Sequence, residues 1–367
     1  MMIVCFIKRL WFYPKAIVFT IYTLTYNAFQ SDSPVADCAF EPIIWIVDHF
    51  AGWLGRGLVI LVSFLISGVV VIFYVYVMPI VLEYESTMFS ICHLICGHWL
   101  LLNISFHYYK AVSTNPGYPP SGKKAVALRD IQVCTKCIQP KPPRTHHCSV
   151  CNKCILKMDH HCPWINNCVG HFNHRYFFMF CVYMCLGTIY VSLTLFPTFF
   201  SHFDDFAKNM FKEYFNIGIP RPTTAAEKYF LKRHLEPKIT KPEEESLHNI
   251  VIFEFMLCSC VAVAVGALAG WHMILITRGE TSVEVYINRA KRKKMKKEGK
   301  TFFNPFHYGM IRNWKIVLGL GHGRGLWSII MPSSHPPNGD GVSWPRPEGS
   351  ELNDASTIGN DKAAFLA

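Results

Sequence analysis

Residues 134–168 read CTKCIQPKPPRTHHCSVCNKCILKMDHHCPWINNC, and this stretch holds seven of the fifteen cysteines in the chain. Three pairs of these cysteines keep the C-x2-C spacing, and two His-His dipeptides lie among them: Cys134/Cys137, Cys148/Cys151, Cys151/Cys154, His146-His147 and His160-His161. Zinc takes Cys and His ligands in such closely spaced pairs, and a structural site needs four of them. Six cysteines and two histidines would therefore complete two zinc sites and leave one cysteine over.

The segment between the first cysteine pair and the rest is rich in Pro and Lys, so we expect little regular structure and no hydrophobic core there. Bound metal would then hold this domain together and contribute directly to its folding free energy. A disulfide framework is the weaker interpretation, because C-x2-C pairs with interleaved histidines are typical of metal sites.

The rest of the chain has the composition of a membrane protein. Hydrophobic residues make up 51% of the chain and charged residues 17%, against about 25% charged residues in an ordinary globular domain. Four apolar stretches are long enough to cross a bilayer as helices: Gly57–Leu82, Phe89–Val112, Tyr176–Phe200 and Ile250–Ile276. We therefore predict an all-α polytopic membrane protein with four transmembrane helices and a cytosolic, zinc-bound Cys-rich domain between helices 2 and 3.

These stretches divide the chain into six predicted parts. They are an N-terminal interfacial segment (1–56), transmembrane helices 1 and 2 (57–112), the Cys-rich domain (113–175), helices 3 and 4 with their loop 201–248 (176–277), a C-terminal region (278–331) and a tail (332–367). The tail is rich in Pro, Gly, Ser and Asn, so we predict that it is disordered. For residues 1–29 a cleaved signal and an extra span stay open as alternatives. No internal repeat is evident beyond the doubled Cys/His pattern.

Basic residues near the spans predict the orientation in the membrane. The Cys-rich domain and the segment Arg278–Lys300, with its run Lys291–Lys297, are strongly basic, whereas the loop 201–248 balances eight basic against eight acidic residues. We therefore predict that the Cys-rich domain and both termini are cytosolic and that the loop is lumenal. The cytosol is reducing, which favours zinc over disulfides. The basic run is expected at anionic lipid headgroups, and no nucleic-acid partner is expected.

Asp159, His160 and Cys162 have the parts of an activated nucleophile. An imidazole can remove a thiol proton, and a carboxylate can fix the imidazole tautomer and stabilise its charged form. Such a pairing is what makes a cysteine reactive in the cytosol, because an ordinary thiol has a pKa of about 8.5 and is mostly protonated there. The alternative is that Cys162 is a seventh zinc ligand, and spacing alone leaves both interpretations open.

The tetrapeptide Asp-His-His-Cys at 159–162 belongs to a longer pattern. It is followed by Pro-Trp-x-x-Asn-Cys-Val-Gly at 163–170, by Thr281-Ser-Val-Glu284 after the fourth apolar stretch, and by Asn304-Pro-Phe leading to Asn313-Trp314. With the four-span layout, these motifs make residues 57–320 similar to the DHHC family of protein S-acyltransferases.

The resemblance implies two interleaved zinc sites. Cys134, Cys137, His147 and Cys154 would hold one Zn²⁺. Cys148, Cys151, His161 and Cys168 would hold the other. His146 neighbours His147, and only the resemblance selects between them. His171 and His174 follow the last ligand and are expected to be interfacial polar residues rather than ligands.

The resemblance also implies a two-step acyl transfer at the membrane surface. Cys162 would be the nucleophile, His160 its base, and Asp159 the residue that orients His160. A long-chain acyl group, palmitoyl, would pass from acyl-CoA to Cys162 and then to a cytosol-facing cysteine of a membrane or membrane-associated substrate protein. Gly187, about three turns into the third apolar stretch, is interpreted as space for the deep end of an acyl-chain cavity.

Motif residues near the C-terminus would support the site. They are Thr281, Ser282 and Asn313, and Ser282 stands where the family has Thr. A second departure is Asn115 before Pro-Gly, where the family has Asp, and the sequence gives no role for it.

Two other functions are weighed against acyl transfer. A zinc-stabilised scaffold would need the eight ligands but neither Asp159, His160 nor Cys162. A RING-like ubiquitin ligase module is disfavoured, because the stretch is too short for the usual long middle loop. The family resemblance implies a location in the membrane of the endoplasmic reticulum or the Golgi.

Overall fold

The structure is a computed structural model that describes residues 35–84, 86–121, 132–215, 241–321 and 324–344. The alternatives for residues 1–29 lie outside these ranges. The chain divides into two compact units, Met1–Arg56 and Gly57–Ala367, and every functional feature described below belongs to the second.

Most of the described chain is helical. The α-helices are α1 (Val35–Ile72), α2 (Met78–Tyr84), α3 (Thr87–Ser113), α4 (His174–Phe215), α5 (Lys241–Arg278), α6 (Ser282–Lys297), α7 (Met310–Leu318) and α8 (Trp327–Ile330). A π-helical turn, Phe73–Val77, joins α1 to α2. Ser86 caps α3, since its hydroxyl accepts a hydrogen bond from the Phe89 amide and so satisfies one of the free donors of the first turn.

Four segments of these helices are long and apolar enough to cross a membrane: Leu54–Val77, Thr87–Ser113, His174–Pro197 and Asn249–Arg278. The Cys-rich domain lies between the second and the third, so the predicted fold class is confirmed. Helices α4 and α5 extend beyond the predicted spans. The predicted loop 201–248 therefore contains helix as far as Phe215 and again from Lys241.

The bundle packs chiefly through α4, which contacts both α3 and α5. At the end of the bundle next to the Cys-rich domain, residues of the three helices form one apolar cluster: Tyr108, Ala111, Tyr176, Phe177, Cys181 and Ala269. Gly266 of α5 allows a close approach to α4, because a Cβ atom there would lie 3.1 Å from Cys185 Sγ.

Gly187 lies at a close contact between α3 and α4 rather than beside open space. A Cβ atom at this glycine would lie 2.7 Å from Cδ1 of Ile104, a residue that is only 8% exposed. The Ile104 side chain therefore fills the space next to Gly187. An acyl chain next to Gly187 would require the Ile104 side chain to move, and the acyl-chain cavity at that position stays a prediction.

The Cys-rich domain consists of three short antiparallel hairpins. They are β1 (Val133–Cys134) with β2 (Gln139–Pro140), β3 (His146–Cys148) with β4 (Lys153–Ile155), and β5 (His160–Cys162) with β6 (Asn167–Val169). Each strand has only two or three residues. Strands of this length cannot form a stable sheet by themselves, so other interactions must hold the hairpins in place.

Residues 333–344, here called the C-terminal segment, are ordered against the rest of the protein. His335 Nε2 donates to the Leu318 carbonyl, and Asn338 donates to the carbonyls of Lys315 and Leu320. The prediction of a disordered tail from residue 332 is therefore wrong for this part. The Pro, Gly, Ser and Asn residues of this segment form successive bends that pack on α7. Composition alone does not show that α7 provides a surface for them.

Candidate active site and metal centres

The three hairpins share one design. In each, the strand before the turn contains a cysteine, and these cysteines are fourteen residues apart: Cys134, Cys148 and Cys162. Each turn contains a residue with left-handed backbone, again at fourteen-residue spacing: Ile138 (φ 53°), Asn152 (φ 51°) and Asn166 (φ 47°). The domain is therefore a threefold structural repeat. The repeat is hard to recognise in the sequence because the first and third copies lack some of the cysteines and histidines.

The first metal cluster combines the turn of one hairpin with the strands of the next. Cys134 and Cys137 meet His147 and Cys154, which face each other across β3 and β4. His147 Nδ1 lies 3.1 Å from Cys137 Sγ, 3.8 Å from Cys134 Sγ and 4.0 Å from Cys154 Sγ. Nitrogen and sulfur ligands of one tetrahedral zinc are about 3.6 Å apart. The four side chains could therefore hold a metal ion.

The second cluster repeats the same construction one hairpin further along. Cys148 and Cys151 meet His161 and Cys168, which pair across β5 and β6. His161 Nδ1 lies 3.3–3.8 Å from the three sulfur atoms. These are the two ligand sets that the resemblance implies.

His146, the alternative to His147, belongs to neither cluster. It is half-buried beside Arg144 and Lys141. Burial and the nearby Lys141 charge lower the pKa of His146 to about 4. The structure thus places His147 rather than His146 with the cysteines.

Cys162 is the cysteine left over, and the repeat explains why. It occupies the place in the third hairpin that Cys134 and Cys148 occupy in the first two. Ile165 stands where each earlier turn has its second cysteine, and the chain continues from this hairpin into α4. In the described part of the chain, Cys162 is outside both metal clusters. Its side chain is buried in the apolar cluster between α3, α4 and α5.

Asp159 and His160 form a hydrogen-bonded pair beside Cys162. His160 Nδ1 donates to Asp159 Oδ2 over 2.7 Å, and the Asp159 side chain is fully buried. Burial opposes the charged imidazole, but hydrogen bonds to Asp159 and Cys162 outweigh it and raise the pKa of His160 to about 9. Burial alone would raise the pKa of Asp159, yet the hydrogen bond from His160 and the nearby histidines hold it below its usual range. The three residues can therefore move a proton between Nε2 of His160 and the sulfur.

The start of α6 holds the Asp159 carboxylate in place. The Ser282 amide donates to Asp159 Oδ1 and the Ser282 hydroxyl to Oδ2, each over 2.9 Å. Thr281 is the N-cap of α6 and forms a reciprocal capping box with Glu284. Ser282 thus keeps the hydroxyl contact expected of the family's Thr.

An ion pair that the sequence analysis did not identify joins the Cys-rich domain to the same turn. Arg144 donates to both carboxylate oxygens of Glu284, over 2.6 and 2.7 Å, and both side chains are buried. The Arg144 guanidinium also donates to the Gly279 carbonyl over 2.9 Å. Arg144 and Glu284 are 140 residues apart in the sequence, so no local sequence pattern marks them as partners.

Two predicted interfacial residues are buried instead. His171 Nε2 donates to the Gly339 carbonyl over 3.1 Å, and His174 Nε2 lies 3.3 Å from Nδ1 of His272. His272 is a polar residue near the end of the fourth span, and its ring lies 5.7 Å from that of His160. Its place inside an apolar stretch was a signal for this contact, since polar residues within spans usually face the bundle interior.

Two motif residues have structural roles. Asn313 donates to the Thr277 carbonyl and accepts from the Tyr308 amide, which fixes α7 against the end of α5. Asn115 Oδ1 accepts a hydrogen bond from the Gly117 amide over 2.8 Å. An acceptor at residue 115 closes this turn, and Asn supplies one as well as Asp does.

The fold and this geometry define the class: a multi-pass membrane protein with paired Cys₃His clusters in a domain between spans 2 and 3. The family model described as DHHC palmitoyltransferase matches residues 128–289. Palmitoyltransferase ZDHHC16B of Danio rerio is 46% identical over 347 residues, which cover 93% of this chain and 89% of that protein. Palmitoyltransferase ZDHHC16 of Homo sapiens is 42% identical over 337 residues, covering 92% of this chain and 87% of that protein.

The chain therefore belongs to the DHHC palmitoyltransferase family and is a protein S-palmitoyltransferase. Palmitoyltransferase ZDHHC16 of Mus musculus is a further relative, 44% identical over 92% of this chain and 86% of that protein. The family resemblance found in the sequence, which was greatest to the sixteenth-numbered mammalian member, is confirmed.

Proposed function

We propose that Cys162 carries the acyl group during palmitoylation, with long-chain acyl-CoA as the donor. The observation that supports this most directly is that Cys162 is outside both metal clusters while its partner His160 is hydrogen-bonded to Asp159. A scaffold would have no use for this arrangement.

In the first step the Cys162 proton is held by His160, whose raised pKa favours the charged imidazole, and the Cys162 sulfur attacks the thioester carbonyl carbon of acyl-CoA. A bond forms between that carbon and Cys162 Sγ, the bond to the CoA sulfur breaks, and CoA leaves with the proton that His160 returns. In the second step a substrate cysteine gives its proton to His160 and attacks the acyl-Cys162 thioester. The bond between the acyl carbon and Cys162 Sγ breaks, and the proton stays with the His160–Cys162 pair, so both residues are regenerated.

The surroundings of Cys162 suit a long-chain donor. The thiol lies in the apolar cluster of Tyr108, Tyr176 and Phe177, and each CH₂ of an acyl chain that enters such surroundings gains about 0.8 kcal/mol. Lys110, whose Nζ lies 5.2 Å from the Tyr176 ring centre, is at the end of α3 near this cluster. Its charge is placed to attract the phosphates of CoA.

We propose that the two clusters hold structural Zn²⁺ ions. Three cysteines and one histidine with these separations are a tetrahedral zinc set, and closed four-ligand sites stabilise folds rather than catalyse reactions. The ions would fix the hairpins that carry His160 and Cys162, and no step of the transfer passes through them.

Substitution of Cys162 by Ser tests the acyl-carrier role. The purified wild-type protein should form a hydroxylamine-sensitive acyl adduct with palmitoyl-CoA, and Cys162→Ser should form none while keeping two zinc ions per chain. Cys181→Ser, in the same apolar cluster, is the matched control and should still form the adduct. An adduct on Cys162→Ser would refute the proposal. Loss of zinc from that variant would make Cys162 a ligand.

We also propose that the Cys-rich domain and α6 face the cytosol, in membranes of the endoplasmic reticulum or Golgi, where the substrates are cysteines at the cytosolic membrane surface. The basic run Lys291–Lys297 at the end of α6 supports this orientation. An N-glycosylation acceptor placed between α4 and α5 should be modified in cells, and one placed after α6 should not. The reverse pattern would invert the orientation.

A further inference from the structure

The C-terminal segment crosses from the bundle to the Cys-rich domain. Arg175, at the start of α4, donates to the carbonyls of Ser333 and His335, and the Tyr176 hydroxyl also donates to His335. Further along, the Gly339 carbonyl accepts from His171. The segment is thus fixed at both ends of the junction between the hairpins and α4.

Trp344, at the end of this segment, covers Arg144. The Arg144 guanidinium carbon lies 4.6 Å from the centre of the Trp344 ring in the C-terminal segment and 4.6 Å from the centre of the Phe306 ring in the C-terminal region. The Trp344 indole donates to the Gly341 carbonyl over 3.2 Å. Gly341 has φ +73°, and a Cβ atom there would lie 2.8 Å from the His171 ring. Only glycine lets the chain turn this closely against the hairpins and bring Trp344 over the guanidinium.

Arg144 connects Trp344 to the catalytic residues through Glu284. Arg144 makes two hydrogen bonds to the Glu284 carboxylate, and Glu284 Oε2 also accepts from the Thr281 amide over 2.9 Å. The next residue, Ser282, holds both oxygens of Asp159. A displaced Arg144 would therefore release the turn that orients Asp159.

The Trp344 ring covers Arg144 at a place where several charged groups lie close together. Lys157 Nζ lies 6.0 Å from the Trp344 ring, and burial together with the Arg144 charge lowers the pKa of Lys157 to about 7. Trp344 keeps water from the buried Arg144–Glu284 pair, which is stronger in a drier environment. An aromatic ring also attracts a desolvated guanidinium directly.

We propose that Trp344 is a positioning residue for acyl transfer, which acts by holding Arg144 on Glu284 and thereby the Ser282 turn on Asp159. The inference rests on the proposed acyl-Cys162 function. Trp344 touches neither Cys162 nor the apolar cluster around it, so its loss should slow the chemical step and leave acyl-CoA binding unchanged.

The test compares Trp344→Leu, Trp344→Phe and the control Trp327→Leu, which replaces a tryptophan that is 74% exposed. Initial rates of adduct formation are measured over a range of palmitoyl-CoA concentrations. Leu keeps the apolar bulk but has no ring, whereas Phe keeps the ring. We expect Trp344→Leu to lower the saturating rate by roughly three- to thirtyfold, the range of a partly to fully desolvated cation–π contact. The half-saturating concentration should not change, and Trp344→Phe should stay near the wild-type rate.

A double-mutant cycle with Arg144→Lys tests whether the effect passes through Arg144. If it does, Trp344→Leu should slow the Arg144→Lys protein by much less than it slows the wild type. Fully additive effects, equal rates for Leu and Phe, or a wild-type rate for Trp344→Leu would each overturn the inference. If wild type itself forms no adduct on Cys162, the proposed function fails instead. Zinc content of every variant is measured alongside, and a Trp344→Leu protein without zinc would make the residue structural.

Discussion

Cys162 lies outside both metal clusters because of its position in the threefold repeat. Two earlier hairpins have a cysteine at the same place, and each of those cysteines joins a cluster completed by the following hairpin. The third hairpin is followed by α4 instead, and Ile165 replaces the second turn cysteine. The sequence predicted that one of seven cysteines is spare. Spacing alone could not say which, because the answer depends on how successive hairpins meet.

Ile138 is strained by the same repeat. Its φ of 53° matches those of Asn152 and Asn166, but a β-branched residue is poorly suited to left-handed backbone, and its side chain is 84% exposed. We expect Ile138→Asn to raise the free energy of unfolding by about 1 kcal/mol, since left-handed backbone costs roughly that much for an ordinary residue. Thermal unfolding in detergent measures this. Ile138→Val keeps the strain and should not be stabilising. A lower midpoint for Ile138→Asn would show that the side chain makes a stabilising contact.

Ser282 should contribute to the rate through its hydroxyl. Ser282→Ala removes the hydrogen bond to Asp159 Oδ2 and keeps the one from the amide to Oδ1. A hydrogen bond to a charged group is worth about 1.5–3 kcal/mol, so the initial rate of adduct formation should fall at least tenfold. Ser282→Thr keeps the hydroxyl and should preserve most of the rate. Equal rates for the Ala variant and wild type would contradict the role of this contact.

The His160 pair should make stability depend on pH. The pKa of His160 rises from 6.5 to about 9 in the folded protein, so the charged form is the one that folding favours. Its contribution to the free energy of unfolding is complete below pH 6.5 and is lost as the pH rises through about 9.

Asp159→Asn removes a main cause of this shift. The stability gap between wild type and Asp159→Asn should therefore narrow by roughly 1–3 kcal/mol between about pH 6 and pH 9.5. Unfolding measured across this range checks it, with Glu298→Gln, an exposed carboxylate, as the control. A gap that is constant or grows with pH would mean that His160 is not charged in the folded state.

At the level of elements, the hairpins and the helices depend on different forces. The helices of the bundle pack on one another through extensive apolar surfaces, whereas the hairpins have strands of two or three residues and one small buried cluster around Ile155 and Met158. The Pro and Lys content and the spacing of cysteines predict that bound metal holds the hairpins together, which stays a prediction.

Removal of metal should therefore unfold the hairpins selectively. A strong chelator is expected to abolish adduct formation and expose the segment 132–170 to protease, while the far-ultraviolet circular dichroism stays nearly unchanged because the helices dominate it. Added Zn²⁺ should restore protection. Hairpins that stay protected after complete loss of zinc would show that packing alone holds them.

Contacts between elements that are distant in the sequence could not be predicted from the sequence. The spans were predicted within a few residues at their starts, because hydropathy is a local property. The contact between Gly187 and Ile104 joins two helices, so the sequence of the third span alone could not show it. His171 and His174 were placed at the interface because their partners, Gly339 and His272, are distant in the chain.

For the whole molecule, three regions converge on Asp159. The second hairpin and the loop before it contribute Arg144, the end of the fourth span leads into the Ser282 turn, and the C-terminal segment contributes Trp344. Motif matches in the sequence identified the Ser282 turn and missed Arg144 and Trp344. Neither has a chemical role of its own, and each is recognisable only by what it contacts.

The proposed acyl transfer depends on Cys162 being a thiol outside both metal clusters. The most direct measurement is peptide mapping by mass spectrometry of purified, zinc-loaded protein after brief exposure to palmitoyl-CoA. We expect a thioester-linked palmitoyl group on the peptide that contains Cys162, with both metal clusters still occupied. A palmitoyl group found only on other cysteines, or a zinc ion bound by Cys162, would contradict it.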